Sequence, residues 1–214
     1  MKFNTKIKRL IILIILLTLF IFVSAVSYTK AVCSDIQNSV FRLHVIANSN
    51  SEEDQNLKYI VRDSIIAYIN EISKNATSKY EVMQIAKDNI DAIHTIAIQT
   101  VKNNGYDYAV AVNVGNYIFP SKKYGDITFP PGYYDALKIE IGEAKGQNWW
   151  CVMFPPLCFV DITSGIVPET SKEQIKESLS EEEFDLISGK STDVEIKFKI
   201  VEVLQNFTIS GIFM

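Results

Sequence analysis

SVFRLHVIANSNSEEDQNLKYIVRDSIIAYINEIS, from Ser39 to Ser73, changes its hydrophobic period midway, and that change sets the fold class. Up to Ala47 the apolar Val40, Leu43 and Val45 are set among the polar Arg42 and His44, a pattern that reads as a strand. The segment NSNSEEDQ then stops it with a turn. Ser51 is placed to cap a helix, Asp54 follows three residues later, and Glu52 and Glu53 supply negative charge to the first turn, where unpaired N–H groups favour it. Beyond the cap, Leu57, Ile60, Val61, Ser64, Ile65, Tyr68, Ile69 and Ile72 recur at three- and four-residue spacings, which predicts a helix to about Ser73. Lys58, Arg62, Asp63 and Glu71 make up its polar side.

The same two periods alternate along the rest of the chain. After the polar break KNATSK, the residues Val82, Ile85, Ala86, Ile90, Ile93, Ile96, Ala97 and Val101 predict a second long helix. Asn103-Asn104-Gly105 ends it, with Gly105 suited to the left-handed closing position. YDYAVAVNVG, from Tyr106, alternates as a strand. GNYIFPSKKYGDITFPPGYY, rich in Pro, Gly and aromatic residues, reads as a long loop. Two further strands, Ala136 to Ile141 and Trp149 to Phe154, are joined by the turn GEAKGQ. From Ser171 the chain becomes acidic and helical. In its tail, Thr192 or Asp193 can cap a helix bearing Val194, Phe198, Val201 and Leu204, although VEIKFKIVEV also alternates like a strand. The capping residues and the length favour a helix.

These elements predict one α+β domain, an antiparallel or mixed sheet with strands near 40, 107, 136 and 149 packed against two long helices. Segregation of helices from strands argues against a doubly wound sheet. The expected divisions are 1–31 as a signal peptide or membrane anchor, 32–170 as the α+β core, and 171–214 as an acidic, mainly helical part of the same domain.

The N-terminal division follows from charge and hydropathy. Residues up to Ala31 hold Lys2, Lys6, Lys8, Arg9 and Lys30 and no acid, which leaves 16 basic against 25 acidic residues for the remainder. Such a body is a poor partner for nucleic-acid phosphates. Leu10 to Val26 is an uncharged apolar run of 17 residues, at the border between a spanning helix of roughly 17–25 residues and a signal core of about 7–15. Val23-Ser24-Ala25 and Thr29-Lys30-Ala31 both end in the small residue a signal peptidase requires. The basic flank stays cytoplasmic by the positive-inside tendency, which puts the body after Ala31 outside the cytoplasm.

For chemistry the sequence offers little. His44 is a candidate base or ligand, but the second histidine, His94, sits mid-helix among Ile93, Ile96 and Ala97 and reads as an edge-of-core residue. Metal-ligand spacings, nucleophile elbows and phosphate-binding glycine loops are missing, so no cofactor, metal or small-molecule substrate is expected. The dense segment NWWCVMFPPLCF, Asn148 to Phe159, reads as shape. Adjacent strand residues point to opposite faces, so one of Trp149 and Trp150 is expected outside, and tryptophan is enriched at the centres of interfaces. Cys151 and Cys158 are the near pair of the three cysteines. The prolines between them can bring the sulfurs within disulfide reach, or both thiols can be small buried hydrophobes. Cys33 is left over.

Two blocks carry a resemblance. FRLHVIANSNSEEDQNLKYIVRD (Phe41 to Asp63), and FPSKKYGD followed by PGYYDALKIEIGEAKGQNWWCVMFPPLCFVD (to Asp161), resemble the signatures of the stage II sporulation protein R family of endospore-forming bacteria. The resemblance implies a signal made in the forespore and exported to the space between the forespore and mother-cell membranes. There the family activates a membrane-embedded aspartic protease of the mother-cell membrane, which processes pro-sigma-E; the family is not regarded as enzymatic. Contact residues for that receptor are expected at Arg42, His44, Asn48, Glu52 and Asp54, polar residues without an evident core task, and at Trp150, braced by Cys151 and Cys158. The competing reading is an exported hydrolase acting on cell wall, with His44 and one of Glu140, Glu143 or Asp161 as acid and base.

Overall fold

The computed structural model describes residues 5–158, 167 and 169–188. The chain forms two compact units, one through Asp35 and one from Ile36 onward. The first consists of most of helix α1 (Thr5–Ser39), whose residues from Leu10 to Val23 are exposed. Among the described residues α1 is long and apolar enough to cross a membrane.

The second unit is a mixed α+β fold. Strand β1 (Phe41–Ile46) leads through the turn to α2 (Glu52–Ile72), where Ser51 accepts from the Asp54 N–H at 3.2 Å as its N-cap. The single second helix expected from the periodicity is instead two, α3 (Lys79–Asp88) and α4 (Ile90–Asn103). Asn89 divides them because its side chain competes for the backbone: Nδ2 donates to the Ile85 carbonyl at 2.8 Å, and Oδ1 accepts from the Tyr68 hydroxyl at 3.3 Å. Gly105, at φ 87°, closes α4 as expected.

Strands β2 (Val110–Phe119), β5 (Gly132–Ile141) and β6 (Asn148–Phe154) complete a four-stranded sheet in the order β2-β5-β1-β6. The β1/β5 pair is parallel and the other two are antiparallel. The expected long loop after β2 is mostly strand. β2 runs on to Phe119, β5 begins at Gly132, and between them β3 (Lys122–Tyr124) and β4 (Ile127–Phe129) form a hairpin. Aromatic and β-branched residues fit a pleated surface, and that preference outweighs the Pro and Gly punctuation.

Alternation divides the sheet into two faces. Leu43, Val45, Leu137, Ile139 and Trp149 share the helical face, where Trp149 meets the Tyr59 ring of α2 edge-on at 5.5 Å and Arg62 at 4.3 Å. Arg42, His44, Lys138, Glu140 and Trp150 share the other, covered at one end by the β3–β4 hairpin. The acidic segment folds as α5 (Glu169–Ser178) and α6 (Glu181–Ile187), and Lys172 ties it to Asp126 of the hairpin turn at 2.7 Å. The helix preferred for Thr192 to Leu204 lies outside the described residues.

Candidate functional site

β1 delivers Arg42 and His44 to the second face, and the structure gives both an internal role. Arg42 is fully buried. Its guanidinium lies 4.2 Å from the Phe119 ring centre and 4.6 Å from that of Tyr134, with Phe129 and Tyr124 at about 6 Å. Nη2 donates to the Tyr124 hydroxyl at 2.8 Å, which in turn donates to the Trp150 carbonyl at 2.9 Å. Among the described residues no acceptor meets Nε or Nη1, and no carboxylate pairs with the charge. Cation–π attraction from several desolvated rings, worth roughly 2 kcal/mol at a favourable site, takes the place of an ion pair.

His44 is 8% exposed and stands two residues further along the same face. Nε2 donates to Asn148 Oδ1 at 2.7 Å, which keeps the ring proton on that nitrogen, and Nδ1 meets no partner among the described residues. The ring stacks on Trp150 with centroids 5.7 Å apart and planes 24° from parallel. Burial depresses its pKa below the ordinary 6.5. The charges of Lys138 and Arg42 act the same way, against the Asn148 bond and the charge of Glu140.

Asn48 and Asp54 form a knot between two turns. The Asp54 carboxylate accepts from Ser49 Oγ at 2.6 Å and Asn48 Nδ2 at 2.8 Å, while Asn48 Oδ1 accepts from the Glu143 N–H at 2.9 Å. Burial raises the Asp54 pKa, but the bonds from Ser49, Asn48 and Tyr108 outweigh it and hold the group below 3.8. The strand-to-helix turn after β1 is thus sewn to the β5–β6 turn, which completes the seam with Lys145 N–H to Asn48 O at 3.1 Å and Gly146 N–H to Ala47 O at 2.9 Å.

The expected contact set therefore does not form one surface. Arg42 and Asp54 are buried, His44 nearly so, and Asn48 is half-buried; Glu52 is exposed and Trp150 half-buried. The premise that these polar residues lack a core task is corrected: Arg42 fills an aromatic cage and Asp54 pins a turn. The structure does bring His44 and Trp150 together. Trp150 also meets Lys122, whose ammonium lies 5.1 Å from the ring, beside a small cleft of about 100 Å³ lined by Tyr124, Asn148 and the Cys151–Cys158 disulfide. Sequence reasoning missed Tyr124 and Lys122. The alternation in KKYGDITF was the available signal.

Among the described residues His44 forms no hydrogen bond with a carboxylate. Glu140 is paired to Lys138 at 2.7 Å and the exposed Glu143 to Lys145 at 2.8 Å, while His44 faces an amide. Asp161 lies outside the described residues. Among the described residues no group of three His, Cys, Asp or Glu side chains could hold a metal ion, and Cys33 forms no disulfide.

The family model for stage II sporulation protein R matches residues 37–164. The chain is 33% identical over 183 residues to "Stage II sporulation protein R" of Bacillus subtilis (strain 168), spanning 78% of this chain and 80% of that protein. No solved structure matches it significantly. The match takes in β1 through β6, the cage and the turn knot, and the chain belongs to the stage II sporulation protein R family.

Proposed function

We propose that the chain is an exported signal of endospore formation that activates a membrane-embedded aspartic protease in the mother-cell membrane and so triggers processing of pro-sigma-E. The observation that carries this reading is the family membership, from which a sporulation role follows. The apolar helix behind a basic N-terminal flank supports delivery to or across the forespore membrane. The body after it acts in the intermembrane space, secreted or still tethered. The pairing of Glu140 and Glu143 with lysines, and of His44 with Asn148, favours a binding role over hydrolysis. Of the residues considered as receptor contacts, Asn48, Glu52 and Trp150 retain accessible surface, but the Asn48 amide is taken up by Asp54 and the Glu143 N–H, so Glu52 and Trp150 are the proposed ones.

The test is pro-sigma-E processing in cells that co-express this chain and the candidate protease without other sporulation factors. Processing is expected with the wild type and with His44→Gln, and is expected to fall with Trp150→Ala while export and folding persist. Failure of the exported wild type to promote processing overturns the reading.

A further inference from the structure

The cleft beside Trp150 is walled by hydrogen-bond donors and apolar surface. Lys122, Asn148, Trp150, Leu157 and the Cys151–Cys158 disulfide line a volume of about 100 Å³. Among the described residues no Asp or Glu side chain lines it, in a body that holds 25 acidic against 16 basic residues. Glu140, whose charge reaches the neighbouring His44, is already paired with Lys138 at 2.7 Å.

Lys122 brings a cation to this cleft without a counter-ion. Lys79, Lys138, Lys145 and Lys172 each have a carboxylate at 2.7–2.8 Å. Lys122 is half-buried on β3 with its ammonium 5.1 Å from the Trp150 ring, and no carboxylate of the described residues pairs with it. A ring face attracts the charge but leaves the N–H donors to find acceptors elsewhere. Asn148 supplies a second donor. His44 Nε2 donates to its Oδ1 at 2.7 Å, which fixes the amide and leaves Nδ2, with two N–H groups, to donate. Asn148 is exposed, and Nδ2 meets no acceptor among the described residues.

We propose that this cleft receives an aspartate or glutamate side chain of the receptor, its carboxylate held by Lys122 Nζ and Asn148 Nδ2 and its methylene stem against Trp150 and Leu157. The choice of partner rests on the signalling role proposed above. Charge selects the ligand. A half-buried ammonium and an amide donor, with no described acid beside them, complement one carboxylate, and a partly desolvated site strengthens a charge-assisted bond. The net acidic body opposes a polyanion, so a nucleic acid or polyphosphate is a poor competitor for the same donors.

The first test is a titration of the full-length chain in detergent micelles with a blocked Ala-Glu-Ala tripeptide, followed through the indole N–H signal of Trp150 by nuclear magnetic resonance. A saturable shift with a Kd of about 1–10 mM is expected for one charge-assisted contact. The isosteric Ala-Gln-Ala and inorganic phosphate should give none. Lys122→Gln and Asn148→Ala should each weaken binding about fivefold or more with unchanged far-ultraviolet circular dichroism. The absence of a saturable shift overturns the proposal, as does an equal shift from Ala-Gln-Ala or phosphate, or one indifferent to Lys122→Gln. A shift that appears only in Asp161→Asn also overturns it, because the chain's own carboxylate would then fill the cleft. The second test is pro-sigma-E processing. Lys122→Glu should lower it about tenfold, and Lys102→Glu, the same charge change on an exposed residue of α4, should not. Normal processing by Lys122→Glu overturns the proposal and leaves the signalling reading in place. If the exported wild type promotes no processing, the signalling reading fails and the titration alone decides the carboxylate site.

Discussion

Arg42 is a cation held by aromatic rings where a carboxylate would be expected, and its substitutions separate charge from shape. Met at this position keeps an unbranched chain among Phe119, Phe129 and Tyr134 and removes a charge with one hydrogen bond. Replacing a buried charge by an apolar side chain of similar volume is often neutral or stabilising, so Arg42→Met should shift unfolding by no more than about 1 kcal/mol in urea denaturation. Arg42→Glu puts a carboxylate against ring faces with no cation and should cost about 3–5 kcal/mol or prevent folding, which the same measurement would show. A charge reversal here tests the fold and says nothing of a receptor. His44 provides the pH dependence. Its folded pKa lies below the unfolded 6.5, so the unfolded chain binds more protons in that window and stability rises with pH. The contribution is complete above pH 6.5 and is lost as the pH falls from there through the folded value. Thermal midpoints measured on either side of pH 6.5 should show a slope that His44→Gln flattens.

At the scale of elements, the sheet's finish depends on two small constructions. The first is the disulfide, which ties Cys151 within β6 to Cys158 just past it, a separation of seven residues, and holds Leu157 against the strand edge. Loop-closure entropy for so short a ring is about 2–3 kcal/mol, and Cys151→Ser with Cys158→Ser should lose roughly that much, read as a lower urea midpoint that reductant no longer changes. The second is the β5–β6 turn. Gly142 sits at φ 59°, and a Cβ there would collide with the Asn48 side chain that holds the turn knot. Gly142→Ala should therefore cost about 1–3 kcal/mol and loosen Asn48 and Asp54 together, visible as faster amide exchange at Lys145 and Gly146.

For the whole molecule the proposed placement rests on the N-terminal helix, which is long and apolar enough to cross a membrane. An arginine at the centre of a spanning helix costs about 2.5–3.5 kcal/mol, so Leu16→Arg with Leu17→Arg should move the chain from the membrane fraction to the soluble fraction after alkaline extraction. Persistence in the membrane would point to a second attachment. The body carries a net acidic charge, which favours solubility and opposes association between like bodies.

Much of this organisation was legible in the sequence because it rests on local periodicity. The strand of FRLHVI, the Ser51 cap, the helix to Ile72, the closing Gly105 and the apolar N-terminal run each depend on residues close together in the chain, where spacing and capping chemistry act directly. Sequence motifs also identified the family. Only the tertiary structure decided the order β2-β5-β1-β6, the break at Asn89 and the conversion of a Pro- and Gly-rich stretch into the β3–β4 hairpin. It alone revealed that Arg42 and Asp54 are internal, since a polar residue's task is set by partners far away in sequence. Arg42 meets Tyr124 and Phe119, and Asn48 meets Glu143, across loops whose closure no local pattern encodes. The place of β2 at the end of that order belongs to the same class: a strand is readable from alternation, but which strands flank it is a property of the whole sheet.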